Sequence, residues 1–172
     1  MEDTRWLDRR ELAAWVRVAA LLELLPGVLD RQLRRDADLV MFEYFVLAML
    51  SEAPDRTLRM AELAAQTNAT LPRLSHVVRR LEDRGLIARF PCPENRRATN
   101  ARLTDDGWDL VAAAAPGHVA AVRGHVLDAL TPEQVDQLTG IADAVLGRVD
   151  ASESMAAMYR RYDDPLEPDG TT

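Results

Sequence analysis

The stretch "LRMAELAAQTNATLPRLSHVVRRLEDRGL", residues 58–86, constrains the fold most, because its pattern predicts two helices joined by a tight turn. The first helix is predicted over residues 60–66, and residues 67–69 form the turn. Thr70 can cap the second helix through its side-chain oxygen, and Gly85 stands just past its end, where a left-handed cap is expected. The stretch is therefore typical of a helix-turn-helix.

The second of these helices is amphipathic. Its apolar positions recur at spacings of 3, 4 and 3 and predict one buried stripe, formed by Leu71, Leu74, Val78 and Leu81. Its other faces carry polar and basic side chains, namely Arg73, Ser75, His76, Arg79 and Arg80. Side chains of these types can reach base edges and phosphates in a major groove. An ordinary solvated helix face is the alternative interpretation.

Two short strands are predicted after this helix, at "LIARFPC" (86–92) and "ATNARLT" (98–104). The connecting "PENRR" consists of turn-forming residues and two arginines, so the two strands are expected to form a hairpin with a basic tip. Pro91 and Pro93 restrict the first strand to an edge or to a short length. The candidate contact residues at the tip are Asn95, Arg96 and Arg97.

The charge of the chain is unevenly distributed. The formal net charge of the 172 residues is −7, and all 21 basic residues are arginine. Residues 70–102 nevertheless carry eight arginines and three acidic residues, a local net charge of +5, which leaves −12 on the rest of the chain. A basic segment in an acidic protein predicts a directed anion-binding face. A chance cluster of solvated arginines is the alternative.

Long amphipathic helices are predicted on both sides of this segment. Apolar residues recur at helical spacing over residues 11–35, and Pro26 is expected to kink or split that helix. The apolar face is wider than a simple surface helix needs, so one side is expected to contact another chain. Thr104 caps a further helix, and the capping box that begins at Thr131 starts the last one, whose apolar stripe ends at Val149.

Several classes of protein are not indicated. The single cysteine, Cys92, excludes an internal disulfide framework. The charged N-terminus lacks the apolar core of a signal peptide, and the longest apolar stretches are interrupted by charge and too short for a bilayer. These features predict a soluble cytoplasmic protein with no membrane partner. No catalytic triad, phosphate loop or metal motif is present in the sequence, so we expect neither an enzyme, nor a cofactor, nor a bound metal.

The order helix, helix, turn, helix, hairpin, helix is that of a winged helix-turn-helix, and the sequence resembles the MarR family of bacterial transcriptional regulators. Three stretches carry the resemblance, "LSHVVRRLEDRGLIAR" (74–89), "ENRRATNARLTDDG" (94–107) and "LTPEQ" (130–134). The similarity extends over roughly residues 11–149. It implies a mainly α fold with a small two- or three-stranded β wing, built as a winged helix-turn-helix plus a helical dimerisation region.

The resemblance also implies a division of the chain and a homodimer. The expected division is N-terminal dimerisation helices at 1–36, a winged helix-turn-helix DNA-binding domain at 37–104, C-terminal dimerisation helices at 105–150 and a partly disordered tail at 151–172. Two copies would bind a pseudo-palindromic operator in double-stranded DNA. The regulator is expected to be a repressor rather than an activator.

The family's DNA contacts fall on named positions of this sequence. Arg73, Ser75, His76 and Arg80 match groove-facing positions of the recognition helix, and Arg96 and Arg97 match the wing arginines that reach a minor groove. The family's wing usually has aspartate where this chain has Asn95. An aspartate can hold an arginine by a charged hydrogen bond, whereas an asparagine offers a neutral one. With Thr70 and Arg79 from the same helix, these residues are the predicted DNA-binding set.

Many relatives in this family respond to small aromatic acids bound between the dimerisation helices and the DNA-binding lobe. In this chain the resemblance places such an effector against Trp15, Met41, Phe45 and Trp108, although plain core packing accounts for the same residues. Two further alternatives stay open. Cys92 could make the protein a thiol-based redox sensor, or the winged helix could be a protein–protein interaction module that does not bind DNA.

Overall fold

The computed structural model describes residues 4–163, apart from the side chain of Arg96. The described residues are 69% helical and contain one small antiparallel sheet. The helices are α1 (Arg9–Ala37), α2 (Met41–Ser51), α3 (Met60–Gln66), α4 (Leu71–Asp83), α5 (Asp105–His125), α6 (Pro132–Val149) and α7 (Ala156–Tyr159). The strands are β1 (Thr57–Arg59), β2 (Ile87–Cys92) and β3 (Asn95–Leu103). The disorder predicted for the end of the tail falls on residues outside the described range.

Helix α1 begins with a capping box and runs unbroken for 29 residues. The Asp8 carboxylate accepts the backbone N–H of Glu11 at 2.8 Å, and the Glu11 carboxylate accepts that of Asp8 at 2.9 Å. Of the two outcomes predicted at Pro26, a kink or a split, the split is wrong. Proline removes one intrahelical hydrogen bond, but the turns beyond it are fixed by Leu29 and Leu33, which are 8% and 0% exposed in the core.

The core of the winged helix-turn-helix takes in one face of α2 and one face of α4, together with α3 and the sheet. Val46 and Leu47 of α2 are fully buried, as are Leu74 and Leu81 of α4. Three of the four residues predicted to form the buried stripe on α4 are buried. Leu71 is 48% exposed, because the helix has not yet reached the core at its first residue, and Val77 is buried beside Val78 instead.

The sheet has three strands in the order β1-β3-β2, so β3 is central. The predicted fold class, mainly helical with a small β wing, is confirmed. The sequence pattern did not locate strand β1, because three residues are too few to show an alternating pattern; it pairs with residues 100–102 of β3. Pro91 lies in the edge strand β2, as its missing N–H predicts.

A large apolar surface of α1 and α6 is exposed in the single chain. On α1, Leu21 and Leu22 are 62% and 67% exposed; on α6, Ile141 and Val149 are 63% and 73% exposed. Within the described residues, α1 and the segment Asp105–Ala129 are long and apolar enough by length and composition to cross a membrane. The expectation that no segment is long enough therefore fails for these helices, because it counted only stretches that charge does not interrupt.

The start of α5 packs through a glycine against the chain that follows α4. Thr104 caps α5 as predicted, accepting the N–H of Gly107 at 3.0 Å. A β-carbon on Gly107 would lie 2.2 Å from the carbonyl oxygen of Leu86 and 2.7 Å from Leu103 Cδ1. Real β-carbons do not approach other atoms so closely, so no larger residue fits there without movement of the backbone.

We expect Gly107→Ala to lower the free energy of unfolding by about 3 kcal/mol or more, measured by thermal and denaturant unfolding. Gly147→Ala is the matched control. It also lies in a helix, but nothing is within 4 Å of the added methyl, so the change should raise stability by about 0.5–1 kcal/mol. Equal stability of the two variants would contradict the close packing between α5 and the chain after α4.

Candidate nucleic-acid interface

The turn between α3 and α4 fixes the direction of α4. Asn68 adopts a left-handed conformation, with φ of 48°, and the N–H of Ala69 donates to the carbonyl of Ala64 at 2.9 Å. The Thr67 hydroxyl donates to the Leu63 carbonyl at 2.7 Å. Thr70 caps α4 as predicted, its hydroxyl accepting a backbone N–H at 3.4 Å. These contacts hold the outer face of α4 away from the core.

That outer face carries the predicted contact residues. Arg73, His76, Arg79 and Arg80 are exposed, and Ser75 is half-buried. The opposite face of α4 is occupied by buried leucine and valine side chains. Helical periodicity therefore places the polar side chains on the outer face. The structure therefore brings the polar residues of α4 together on one surface, which carries three arginines.

Two of these arginines are held by the first turn of α2. The guanidinium carbon of Arg73 lies 4.4 Å from the centre of the Phe42 ring. Arg80 Nη2 donates to Oε1 of Glu43, whose side chain is 3% exposed. Sequence reasoning missed Phe42 and Glu43. The available signal was an acidic residue inside the otherwise apolar run "MFEYFVLAML".

The turn at the tip of the wing is shorter than predicted, because β3 already begins at Asn95. Strands β2 and β3 pair regularly until Pro91 faces Thr99, and then Cys92 faces Asn95, which leaves residues 96–98 in a bulge. Arg97 belongs to β3, lies in this bulge and is exposed. A bulge turns side chains away from the regular pleat. The turn itself comprises only residues 93 and 94.

Asn95 has a different role from the one the family's aspartate suggested. Its Oδ1 accepts the backbone N–H of Arg97 at 3.1 Å, which stabilises the start of β3. The tip is also held from outside, because Arg59 Nη2 of β1 donates to Glu94 Oε2 at 2.6 Å. The wing is thus ordered by backbone bonding and an ion pair, without a carboxylate at position 95.

An ion pair ties the wing to α4. Arg89 of β2 donates to Glu82 through Nε at 2.9 Å and Nη2 at 2.5 Å, and the backbone N–H of Arg89 adds a third bond. These bonds hold the pKa of the Glu82 carboxyl below its usual value. A groove of about 360 Å³ separates α4 from the wing and is lined by Leu71, Ser75, Arg89 and Arg97, among others.

Cys92 lies at the base of the wing tip and is 3% exposed. Burial raises the pKa of its thiol, but hydrogen bonds from the backbone N–H groups of Glu94 and Asn95, together with the nearby Arg59, outweigh burial and lower it. The neighbouring charge is thus Arg59. The sulfur is shielded from solvent, which slows reaction with oxidants.

The four predicted effector residues lie in three different places. Met41 and Phe45 are one turn apart on α2, and Trp15 is 55% exposed on α1. Trp108 is 39% exposed at the start of α5, with the Arg56 guanidinium carbon 4.2 Å from its ring centre. In the described part of the single chain they do not line a common groove.

A polar cluster between α1, α2 and α5 was not predicted. His118 Nδ1 lies 3.4 Å from Oε1 of the buried Gln32, and the His118 ring centre is 4.7 Å from that of Tyr44. Burial lowers the pKa of His118 and raises that of Tyr44. Beside this cluster, a groove of about 560 Å³ runs between α1 and α5, with Arg31, Arg35 and His125 among its lining residues.

Known proteins share both the sequence and the fold. A sequence model of the MarR family matches residues 39–99. Sco3205, a MarR family transcriptional regulator from Streptomyces coelicolor whose crystal structure is a complex with DNA, is 44% identical over 84% of this chain and 91% of that chain, with a TM-score of 0.81. AbsC, a MarR family transcriptional regulator from the same organism, is 36% identical over 84% of this chain and 100% of that chain, with a TM-score of 0.78.

CouR from Rhodococcus jostii RHA1, whose structure holds p-coumaroyl-CoA, is 22% identical over 74% of this chain and 87% of that chain, with a TM-score of 0.65. At that identity the likeness concerns the fold alone. Sco3205 and AbsC are more similar, and this chain spans nearly all of each. Together with the helix-turn-helix and wing described above, this similarity shows that the chain belongs to the MarR family of transcriptional regulators.

Proposed function

We propose that this chain regulates transcription by binding double-stranded DNA, with α4 in the major groove and the wing in an adjacent minor groove. One observation carries the proposal. Ser75 on the outer side of α4 and Arg97 in the wing line the same groove, so the two elements present one continuous surface. Such a surface can contact two neighbouring grooves of one duplex.

The charges support this docking. The segment 70–102 has a local net charge of +5. The opposite face of α4 is buried, so Arg73, Arg79 and Arg80 point outward, and Arg97 of the wing is exposed as well. Arginine is favoured in a narrow minor groove, where the negative potential of the phosphates is focused. The acidic remainder of the chain repels DNA and so limits binding through other surfaces.

The proposed contacts divide by groove. The major-groove set consists of Thr70, Arg73, Ser75, His76, Arg79 and Arg80, and the wing set consists of Asn95, Arg96 and Arg97. Sco3205, which has been crystallised with DNA, gives independent support, because it is 44% identical to this chain. Arg97 is the most informative residue to test, since it is exposed and its side chain forms no hydrogen bond or ion pair within the described residues.

We expect Arg97→Ala to weaken binding to specific and random duplexes alike by about tenfold, and to reduce the slope of log affinity against log salt by about one. Fluorescence anisotropy with labelled duplexes over a salt series measures both quantities. Arg123→Ala is the control, because Arg123 lies on α5 and pairs with Asp128 at 2.7 Å, away from α4 and the wing. If both variants behave alike, the wing does not contact DNA.

We further propose a homodimer formed by the N-terminal helix (1–36) and the C-terminal helices (105–150), with 37–104 as the DNA-binding domain. The exposed leucines of α1 and the stripe on α6 supply an apolar surface that a second copy can cover. A bilayer is a poorer partner for α1, because Arg17 and Glu23 lie within its apolar stretch and the helix ends in the domain core.

We expect Ile141→Glu to shift the protein from a dimer toward the 19.2 kDa monomer in sedimentation equilibrium, because the new charge would be desolvated in the contact. Leu71→Glu is the matched control. It places the same charge on an exposed leucine of α4, outside the proposed dimer surface, and should leave the mass unchanged. A wild-type protein that stays monomeric at micromolar concentration would contradict the dimer.

We propose that the protein is a repressor released by a small aromatic, anionic effector. The groove between α1 and α5 supports an anion, since Arg31, Arg35 and His125 line it. CouR, which shares this fold, holds p-coumaroyl-CoA, so the fold is able to accommodate an aromatic ligand. Trp15, Met41, Phe45 and Trp108 could take part if a second copy completes the site.

We expect at least one member of a panel of aromatic carboxylates and their CoA thioesters to raise the melting temperature and to release labelled DNA. Arg31→Ala should weaken the release without changing DNA affinity in the absence of the compound. Arg123→Ala, a basic residue of α5 outside that groove, serves as the control. If no compound alters either quantity, the proposed effector site is wrong.

A further inference from the structure

The first turn of α2 holds two arginines that lie seven residues apart on α4. Phe42 stacks under Arg73 at 4.4 Å, and Glu43 pairs with Arg80. Positions separated by seven residues lie on the same side of a helix, two turns apart. Consecutive residues of one helix therefore contact both ends of the proposed recognition surface. Nothing in the DNA-binding proposal itself accounts for a carboxylate at this place.

The Glu43 carboxylate is almost fully enclosed and has partners for both oxygens. Its Oε1 accepts from Arg80, and its Oε2 accepts the N–H of Val40 at 3.0 Å and lies 4.0 Å from Arg84 Nη1. With 3% of the side chain exposed, loss of the Arg80 partner would leave a poorly compensated buried charge. The pair is therefore expected to persist when DNA binds, instead of exchanging Glu43 for a phosphate.

Arg80 can contact DNA while it remains paired with Glu43. A guanidinium has five N–H donors in a rigid fork, and a single nitrogen of Arg80 is bonded to Glu43. The Arg80 side chain is 52% exposed, so the remaining donors are open to solvent. One edge of the fork is thus anchored, and the other is presented in a fixed orientation.

The turn that carries Glu43 is itself anchored to α1. The backbone N–H of Met41 donates to Asp30 Oδ1 at 2.8 Å, and Asp30 also pairs with Arg34 at 2.6 Å. Arg84 Nη1 donates to the Asp38 carbonyl at 3.1 Å, which joins the end of α4 to the same junction. The carboxylate therefore has a fixed position relative to both α1 and α4.

We infer that Glu43 is a positioning residue for DNA recognition, acting through Arg80. It contacts no DNA; it orients the Arg80 fork so that the free edge meets its base or phosphate without a further loss of side-chain freedom. This inference rests on the proposed function, because it assumes that α4 enters a major groove. It goes further by assigning sequence discrimination to a buried acidic residue outside the helix-turn-helix.

The test begins with the duplex that the wild-type protein enriches from a random library, and with a scrambled duplex of the same length. We expect Glu43→Gln, which keeps the acceptor for the Val40 N–H, to lower the ratio of specific to scrambled affinity by about tenfold. Affinity for the scrambled duplex should not fall, since a negative charge has been removed. Glu62→Gln on α3 is the control, because it makes the same charge change and bonds only to Gln66.

The inference requires that Glu43 act through Arg80. In an Arg80→Gln background, Glu43→Gln should therefore not lower the ratio of specific to scrambled affinity any further. Arg80→Lys covers the case in which Glu43→Gln does not fold. Lysine can keep the ion pair but lacks the second edge of the fork, so the ratio should fall while the melting temperature is retained.

Three results would overturn the inference: a Glu43→Gln ratio equal to that of Glu62→Gln, a further loss of the ratio without Arg80, or an unchanged ratio in Arg80→Lys. A different outcome is that the wild-type protein enriches no sequence from the random library. That result would refute the proposed function, and the inference would fail with it.

Discussion

The burial of one face of α4 in the core that it shares with α2, α3 and the sheet is the constraint on which the rest of the structure depends. Leu74, Val78 and Leu81 are fully buried, and this packing leaves the helix a single rotational setting. The arginines of α4 then lie outward, and the chain that follows Gly85 enters the wing in a fixed direction. Gly107 brings the start of α5 against the chain that follows α4, because only a glycine can approach Leu86 so closely.

Acidic residues fix the orientation of several basic side chains near the proposed interface. Three arginines near the proposed interface have a carboxylate partner: Glu43 for Arg80, Glu82 for Arg89 and Glu94 for Arg59. Such partners fix the direction of long side chains, which lose less freedom when they bind a ligand. Arg97 differs, because a bulge and the Asn95 side chain order its backbone instead.

Local patterns predicted the elements well and long-range contacts poorly. The caps at Thr70, Thr104 and Thr131 depend on adjacent residues and were read correctly from the sequence. The continuity of α1 through Pro26 was not, because it depends on tertiary burial of the turns that follow. Strand β1 exists only because β3 pairs with it. On the site, the sequence identified the arginines of α4 and the wing, but not the buried Glu43 that holds Arg80, since that contact joins residues 37 positions apart.

Hydroxyl-radical footprinting on an enriched duplex tests the central claim most directly, because it reports which sugars the protein covers in the minor groove. We expect two symmetric sets of protections, each where a wing enters the minor groove beside a major-groove half-site, with half-sites about one helical turn apart. The protections should fade in Arg97→Ala. A single uninterrupted patch, or protections that Arg97→Ala leaves intact, would contradict the proposed docking of α4 and the wing.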